Sequence, residues 1–320
     1  MTTSALTTGT TLFNLDLSEL VEEAFERCGS QMRSGYDLRT ARRSINLMTI
    51  EWANKGINLW TVEECSIPLV TNQPIYALPN DTIDILDAVT RTNNASTTNQ
   101  QDINLSRISE STYSTIPNKL TTGRPVQMWV NRQSSNSDLT QYIVSTTQVS
   151  ATDTTITLGI TGNATPTQLN MPSTGFIQLG SETIAYTNII GNQLQNCWRG
   201  QNGTTAAIHT ISTPVYQQYL PCVNVWPAPA SGGGPYTLVY YRMRRIQDAG
   251  GGVNIADIPF RFINCFVAGL AYMLSIKIST DPQRVMGLKA DYDQQFDLAA
   301  QEDREKAAIR FVPRNLFYAR

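Results

Sequence analysis

The chain is predicted to be α+β: a helical bundle built from both chain ends with a small β region of its own, and a separate all-β, barrel- or sandwich-like domain in the middle. Three observations predict it. Apolar residues recur at helical spacing before Gly56 and again after Asp257. Between Leu59 and Val215 that period gives way to short β-branched runs broken by Thr-, Asn- and Gly-rich turns. Finally, hydrophobic residues make up 41% of 320 residues, enough to bury a sizeable core. Charged residues make up only 16%, which leaves neutral polar groups to cover a β-rich surface.

The first helix carries one apolar stripe of Leu17, Leu20, Val21, Ala24, Phe25 and Cys28. Asp16 with Glu19 three residues on forms a capping box, and Gly29 ends the helix. A second helix begins after Asp37 with Leu38, Ala41, Ile45, Met48 and Trp52, and stops at Gly56. Joined by a short loop, the two make an antiparallel hairpin whose stripes need each other or a third helix. Strands are then expected over Val62–Val70, Ile75–Pro79 and Ile83–Val89, with a polar loop over 92–101 after them. A helical turn at Ser109–Ser114 and a strand through Val126, Met128 and Val130 come next.

Residues 133–140 (QSSNSDLT) read as a linker, and the stretch from Tyr142 to Val215 is a separate composition island. Strands are expected near 142–149, 154–158, 175–179, 183–190, 193–198 and 211–216, with Gly191-Asn192 as a hairpin turn. The first composition resumes with Val225–Pro229, a turn at Gly232–Gly234 and a strand over Tyr236–Met243. Asp257 and Pro259 open a long helix to Ile278 that is apolar nearly all round and is therefore placed at the centre of the bundle. Asp281-Pro282 opens a last helix with Val285, Leu288, Tyr292, Phe296 and Ala299 on one face. Beyond it runs a tail that is both apolar and basic.

These patterns also exclude functions. A net charge of −2 argues against a generally basic nucleic-acid binder, leaving only local patches. Five scattered cysteines without CxxC spacing read as reduced and structural. The start MTTSALTTGTTLF has neither a basic nor an apolar leader region, so the chain is expected to be made and kept in a cytoplasm. The run Phe262–Ile276, interrupted by Asn264 and Ser275, reads as a buried helix too short to span a bilayer. No membrane partner is expected. His209, the sole histidine, reads as a satisfied turn or core residue. Glu182 and Asp153 read as solvated loop acids rather than a glycosidase pair. Gly232–Gly234 and Gly250–Gly252 lack the strand-to-helix context of a phosphate cradle. No catalytic residue, cofactor or metal ligand is assigned, and the chain is not expected to be an enzyme.

An order of short motifs points further. Glu23-Ala24 precedes Leu47-Met48-Thr49-Ile50-Glu51-Trp52, Gly56-Ile57-Asn58-Leu59-Trp60 and Tyr76-Ala77-Leu78-Pro79. Lys119, Gly123-Arg124-Pro125, Val225-Trp226-Pro227-Ala228-Pro229, Tyr240-Tyr241-Arg242, Gln247-Asp248 and Asp257-Ile258-Pro259 complete it. In this order the chain resembles the head-to-tail adaptor family of tailed bacteriophages, also called head-completion or packaged-DNA-stabilising proteins, and is similar to the tail tubular proteins of short-tailed phages. The resemblance covers 12–133 and 217–306 and omits the β-rich island, which then reads as an insertion. The island's Gly180–Thr187 and Cys197–Thr204 stretches, with His209 after them, resemble a small β-module of phage tail and virion proteins.

The resemblance implies an adaptor core of residues 1–133 and 216–306, an inserted β domain at 134–215 and a docking tail at 307–320. Copies would form a ring of about twelve below the portal protein at the head–tail junction of the virion, continuing the channel for genomic DNA and meeting the tail nozzle or other tail proteins. The tail's Phe311, Val312, Arg314, Leu316, Phe317 and Tyr318 would be an apolar liability if left bare, and are expected to dock on a partner chain. Arg39, Arg42 and Arg43 share one face of the second helix. Either that face is simply solvated, or it meets an acidic neighbour or DNA phosphates. Arg242, Arg244 and Arg245 are expected at an intersubunit contact, where guanidinium groups bond carboxylates in pairs, ahead of a contact with DNA phosphates in the channel. The alternative is a tail-associated binding module for glycans or for capsid and tail decoration, using Tyr186 and Trp198 of the β domain.

Overall fold

In a computed structural model, residues 15–33, 35–57, 59–134, 138–145, 147–160, 166–231, 236–279 and 281–303 are described. The protein is mixed α+β, and it divides after Val62 and after Arg244, so that the two chain ends make one unit and Glu63–Arg244 the other.

The unit made by the chain ends is helical. Helix α1 (Leu17–Cys28) opens with the capping box of Asp16 and Glu19 and closes at Gly29 with φ +74°. Its first free N–H groups, on Leu17 and Ser18, donate to the carbonyls of Asn254 and Gly252 at 2.9 and 3.0 Å. The loop Gly250–Asn254 thus serves as a backbone cap. Helix α2 (Gly35–Asn54) stops before Gly56, at φ +81°. After the short helix α3 (Glu110–Ser114) of the other unit come α4 (Ile263–Ile278) and α5 (Pro282–Glu302), the latter capped by Asp281 with proline in its first turn.

Helix α4 lies at the centre of this unit and packs against α1, α2 and α5. Its Phe266, Leu270 and Leu274 meet Val21 and Phe25 of α1, Ile45, Met48 and Trp52 of α2 and Tyr292 of α5 in one core. The Trp52 ring lies 6.0 and 6.3 Å from Phe262 and Phe266, and its Nε1 donates to the Tyr292 hydroxyl at 3.0 Å. Gly269 sits where α2 and α5 come nearest, because a Cβ there would lie 2.5 Å from Met48 Sδ and 2.8 Å from Tyr292 Cε2. One expectation is corrected: with the preceding 3₁₀ turn, Phe260–Ile278 is long and apolar enough to cross a membrane by length and composition. It is 56% buried inside the unit, as a central core helix is.

The other unit holds the strands. Val62–Pro68, Tyr236–Arg244, Thr82–Thr92 and Gln101–Asn104 form one sheet in that order. Ile75–Ala77, Cys222–Trp226, Gln127–Asn131 and Ser106–Arg107 form a second. Tyr76, Leu78, Ile85, Met128, Val225 and Tyr240 share the core that these strands enclose. The chain leaves this region after Gln127–Asn131 and returns on the antiparallel neighbour Cys222–Trp226, with Asn131 opposite Cys222.

Between those two strands lies an eight-stranded sheet ordered Asn188–Ile190, Gln193–Gln195, Ile156–Ile160, Asp138–Val144, Pro214–Gln218, Gly175–Leu179, Glu182–Tyr186 and Trp198–Gln201. It has its own core of Val144, Ile156, Leu158, Ile177, Ile184 and Tyr186. The single strand expected over 183–190 is broken at Thr187, and its halves pair near opposite ends of the sheet, which curls the sheet on itself. Residues 138–140, expected in a linker, instead open the strand Asp138–Val144, with Leu139 opposite Tyr216. Their backbone pairing, which composition does not reveal, decides it. Gly191 has φ +60° in a two-residue turn with Ile190 opposite Gln193, as a tight hairpin requires. Phe176 and Ala185 join Ile75, Leu220 and Cys222 in a smaller apolar seam.

Candidate functional site

Of the residues singled out from sequence, Arg39, Arg42 and Arg43 are brought together. With Tyr36 and Asn46 they line an open depression of about 410 Å³ on α2. Arg42 is half-buried, and its Nε and Nη2 donate to the Ala249 carbonyl at 3.2 and 3.1 Å, while Asn46 Oδ1 accepts from the Ala249 amide. Arg39 and Arg43 remain exposed. Lys277 reaches Ser44 Oγ at 2.7 Å, and burial together with the Arg43 charge lowers its pKa. The result is a locally cationic helix face suited to an anion or to a carboxylate-bearing surface.

Arg242 is placed differently from a contact residue. It is 7% exposed and is held by carboxylates of its own chain, Asp81 Oδ1 at 2.5 Å and Glu63 Oε2 at 2.9 Å. Arg244 Nε donates to the same Glu63 at 2.7 Å. Burial would lower the Arg242 pKa, but the Asp81 bond and charge raise it, and the same pairing overrides burial to lower that of Asp81. Both carboxylates sit on or beside the strands that the guanidinium joins, so the pair chemistry expected between subunits is found inside one. Arg245 is exposed just beyond. Phe311, Val312, Arg314, Leu316, Phe317 and Tyr318 lie outside the described residues, as does the Gly232–Gly234 turn.

The largest correction concerns Glu182. It is 0% exposed, not a solvated loop acid. Its carboxylate accepts from Arg199 Nε and Nη2 at 2.8 and 2.7 Å, from the Gly200 and Ala207 amides at 3.0 Å each, and from His209 Nε2 at 2.7 Å. An ionised carboxylate only accepts, so His209 carries its proton on Nε2. Arg199 also donates to the carbonyls of Ser150 and Ala207. Burial alone would raise the Glu182 pKa; the bonds from Arg199, Ala207, His209 and Gly200 outweigh it and hold the group at about 2. A carboxylate with its lone pairs used in this way is a cross-link rather than a base. Tyr186 is fully buried, its hydroxyl donating to the Pro172 carbonyl at 2.8 Å, and Trp198 is half-buried.

Sequence reasoning missed one feature. A cleft of about 820 Å³ is walled by Cys65, Ile67, Tyr76 and Tyr240 and by the Arg199–Gly203 turn. Gln73 at its wall is buried, its Nε2 donating to the Ile75 carbonyl and to Gln201 Oε1 at 2.7 and 2.8 Å. No local signal announces it, because its walls come from segments far apart in sequence. Among the described residues no cluster of histidine, cysteine and carboxylate side chains could hold a metal ion. Burial pushes the thiols of Cys28 up to about 11 and of Cys197, Cys222 and Cys265 up to about 12, which leaves them unreactive at neutral pH. Compared with protein-family models the chain finds no match, and compared with curated proteins it finds none either.

Proposed function

We propose that the protein is a structural virion component, a head-to-tail adaptor whose copies form the ring that joins the portal to the tail and continues the DNA channel. The observation that carries the reading is the joining of the two chain ends in one helical unit around α4, with the β-rich residues as an excursion between them. The motif residues on which the resemblance rests take part in that joining. Trp52 bonds Tyr292, and Trp60 Nε1 donates to the carbonyl of Asp257 at 3.2 Å, whose own Oδ2 accepts from the Gln247 amide at 3.0 Å within the C-terminal part. Its partners are the portal protein, tail nozzle or other tail proteins, copies of itself, and genomic DNA contacted without sequence preference.

The mechanism is assembly rather than bond chemistry. Repeated contacts around a ring are heterologous and must close. The segment 307–320 would supply the contact with the portal and lock the adaptor only after DNA packaging, when the partner surface exists. Native mass spectrometry of the chain with portal rings from the same virus tests this. A discrete complex with one copy per portal subunit is expected, lost on deletion of 307–320 while the circular dichroism of the free chain stays unchanged. A bare portal would remove the reading and bring forward the tail-associated binding module. The buried Tyr186 leaves that alternative without half of its proposed aromatic pair.

A further inference from the structure

Helix α2 turns one face away from its core. Tyr36, Arg39, Arg43, Leu47 and Ile50 lie on that face, each exposed, opposite the buried Ala41, Ile45, Met48 and Trp52. The first half of the stripe is cationic and the second apolar, with Leu47 61% exposed. Helix α5 does the same. Met286, Ala290, Asp293 and Asp297 lie exposed opposite Tyr292 and Ala299. Here the apolar half comes first and the anionic half second. Among the described residues no ion pair holds Arg39, Asp293 or Asp297, and Arg43 bonds only the Thr40 hydroxyl, at 3.3 Å.

We infer that these two faces are made for each other in different copies of the chain: α2 of one copy packs antiparallel on α5 of the next. The spacing fits. Set antiparallel, Arg39 falls opposite Asp297, Arg43 opposite Asp293, Leu47 opposite Ala290 and Ile50 opposite Met286, and both stripes run about 16 Å along their helices. Two opposite charges meet at one end and apolar side chains at the other, and small Ala290 admits Leu47. A parallel setting would bring Arg39 to Met286 and leave the charges unmatched. The two faces are different surfaces, so the contact is heterologous and propagates from copy to copy until it closes. The inference deepens the ring reading and rests on it for closure alone; the contact itself is tested without a portal.

The test is sedimentation velocity of the full chain over a wide concentration range, joined to disulfide trapping of an Arg43→Cys, Asp293→Cys double variant. Wild type is expected to self-associate, and the double variant to give intermolecular cross-linked species that reduction removes. Charge reversal by R39E/R43E, or by D293R/D297R, is expected to weaken association by about tenfold or more at low salt. Carrying all four reversals in one chain, or mixing the two reversed chains, is expected to restore it, which a merely misfolded variant would not do. A chain monomeric at every concentration and free of cross-links overturns the contact. So does an R39E/R43E chain that associates normally but loses binding to random duplex DNA, which would assign the cationic face to phosphates. Neither outcome decides portal attachment, so this contact and the adaptor reading can fail separately.

Discussion

Glu182 is the residue whose change is most readable. Replacing it by glutamine leaves Arg199, itself nearly buried, without a counter-charge, and removing one member of a buried pair costs about 3–5 kcal/mol. Glu182→Gln is therefore expected to lower the urea midpoint of the β-rich unit, measured by near-ultraviolet circular dichroism. The native group is held at about 2 against an ordinary 4.5, so its folded pKa is depressed. That contribution is complete above about pH 4.5 and is lost as pH falls toward 2. Acid titration of wild type should show the loss in this window, and Glu182→Gln should flatten it; an unchanged acid slope would deny the carboxylate its role. None of this is legible in sequence, because Arg199 and His209 stand 17 and 27 residues from Glu182 and neither spacing announces contact. Arg242 misleads for the related reason that its partners Glu63 and Asp81 lie 179 and 161 residues away.

The helices are legible because their apolar spacing and caps are local. Asp16 with Glu19, Gly29, and Asp281 with Pro282 each end an element where their chemistry requires it. The strand Asp138–Val144 reads in part as linker because Ser, Asn and Thr tell little about pairing set by residues near 214–218. Gly269 is equally silent in sequence, since glycine inside an apolar helix reads as a tolerated weakness. The packing gives it a purpose, as α4 admits Met48 and Tyr292 there only without a Cβ. Gly269→Ala gains helix propensity but must displace Met48 Sδ, which is flexible, and the Tyr292 ring, which Trp52 anchors. Overpacking is expected to win, with a net loss of about 1–3 kcal/mol in thermal or urea unfolding monitored at 222 nm. Met48→Ala, which on its own loses buried packing, should combine with it less than additively in a double-mutant cycle. Strictly additive losses would place the strain elsewhere.

Residues 134–215 grow out of a hairpin position, since the strands on either side, Gln127–Asn131 and Cys222–Trp226, are antiparallel neighbours in one sheet. The core inside the insertion is its own, apart from the seam in which Phe176 and Ala185 cover Ile75, Leu220 and Cys222. Excision of 134–215 leaves residues 132–133 and 216–221 to close the hairpin, so the Asn131–Cys222 register need not change. Its cost is the uncovering of the seam, at about 25 cal/mol per Å² of apolar surface, together with the bond that buried Gln73 makes to Gln201, not the loss of the sheet. The excised chain is expected to keep its helical signal at 222 nm and, on the proposed adaptor reading, its copy number on portal rings by native mass spectrometry, while its β region melts at lower temperature. An Ile75→Thr change in the excised chain should reduce its aggregation by making the bared seam polar. If excision abolishes portal attachment while the helical signal persists, the insertion carries a contact of its own. The cleft walled by the Arg199–Gly203 turn and the strand Val62–Pro68 would be the first place to seek it.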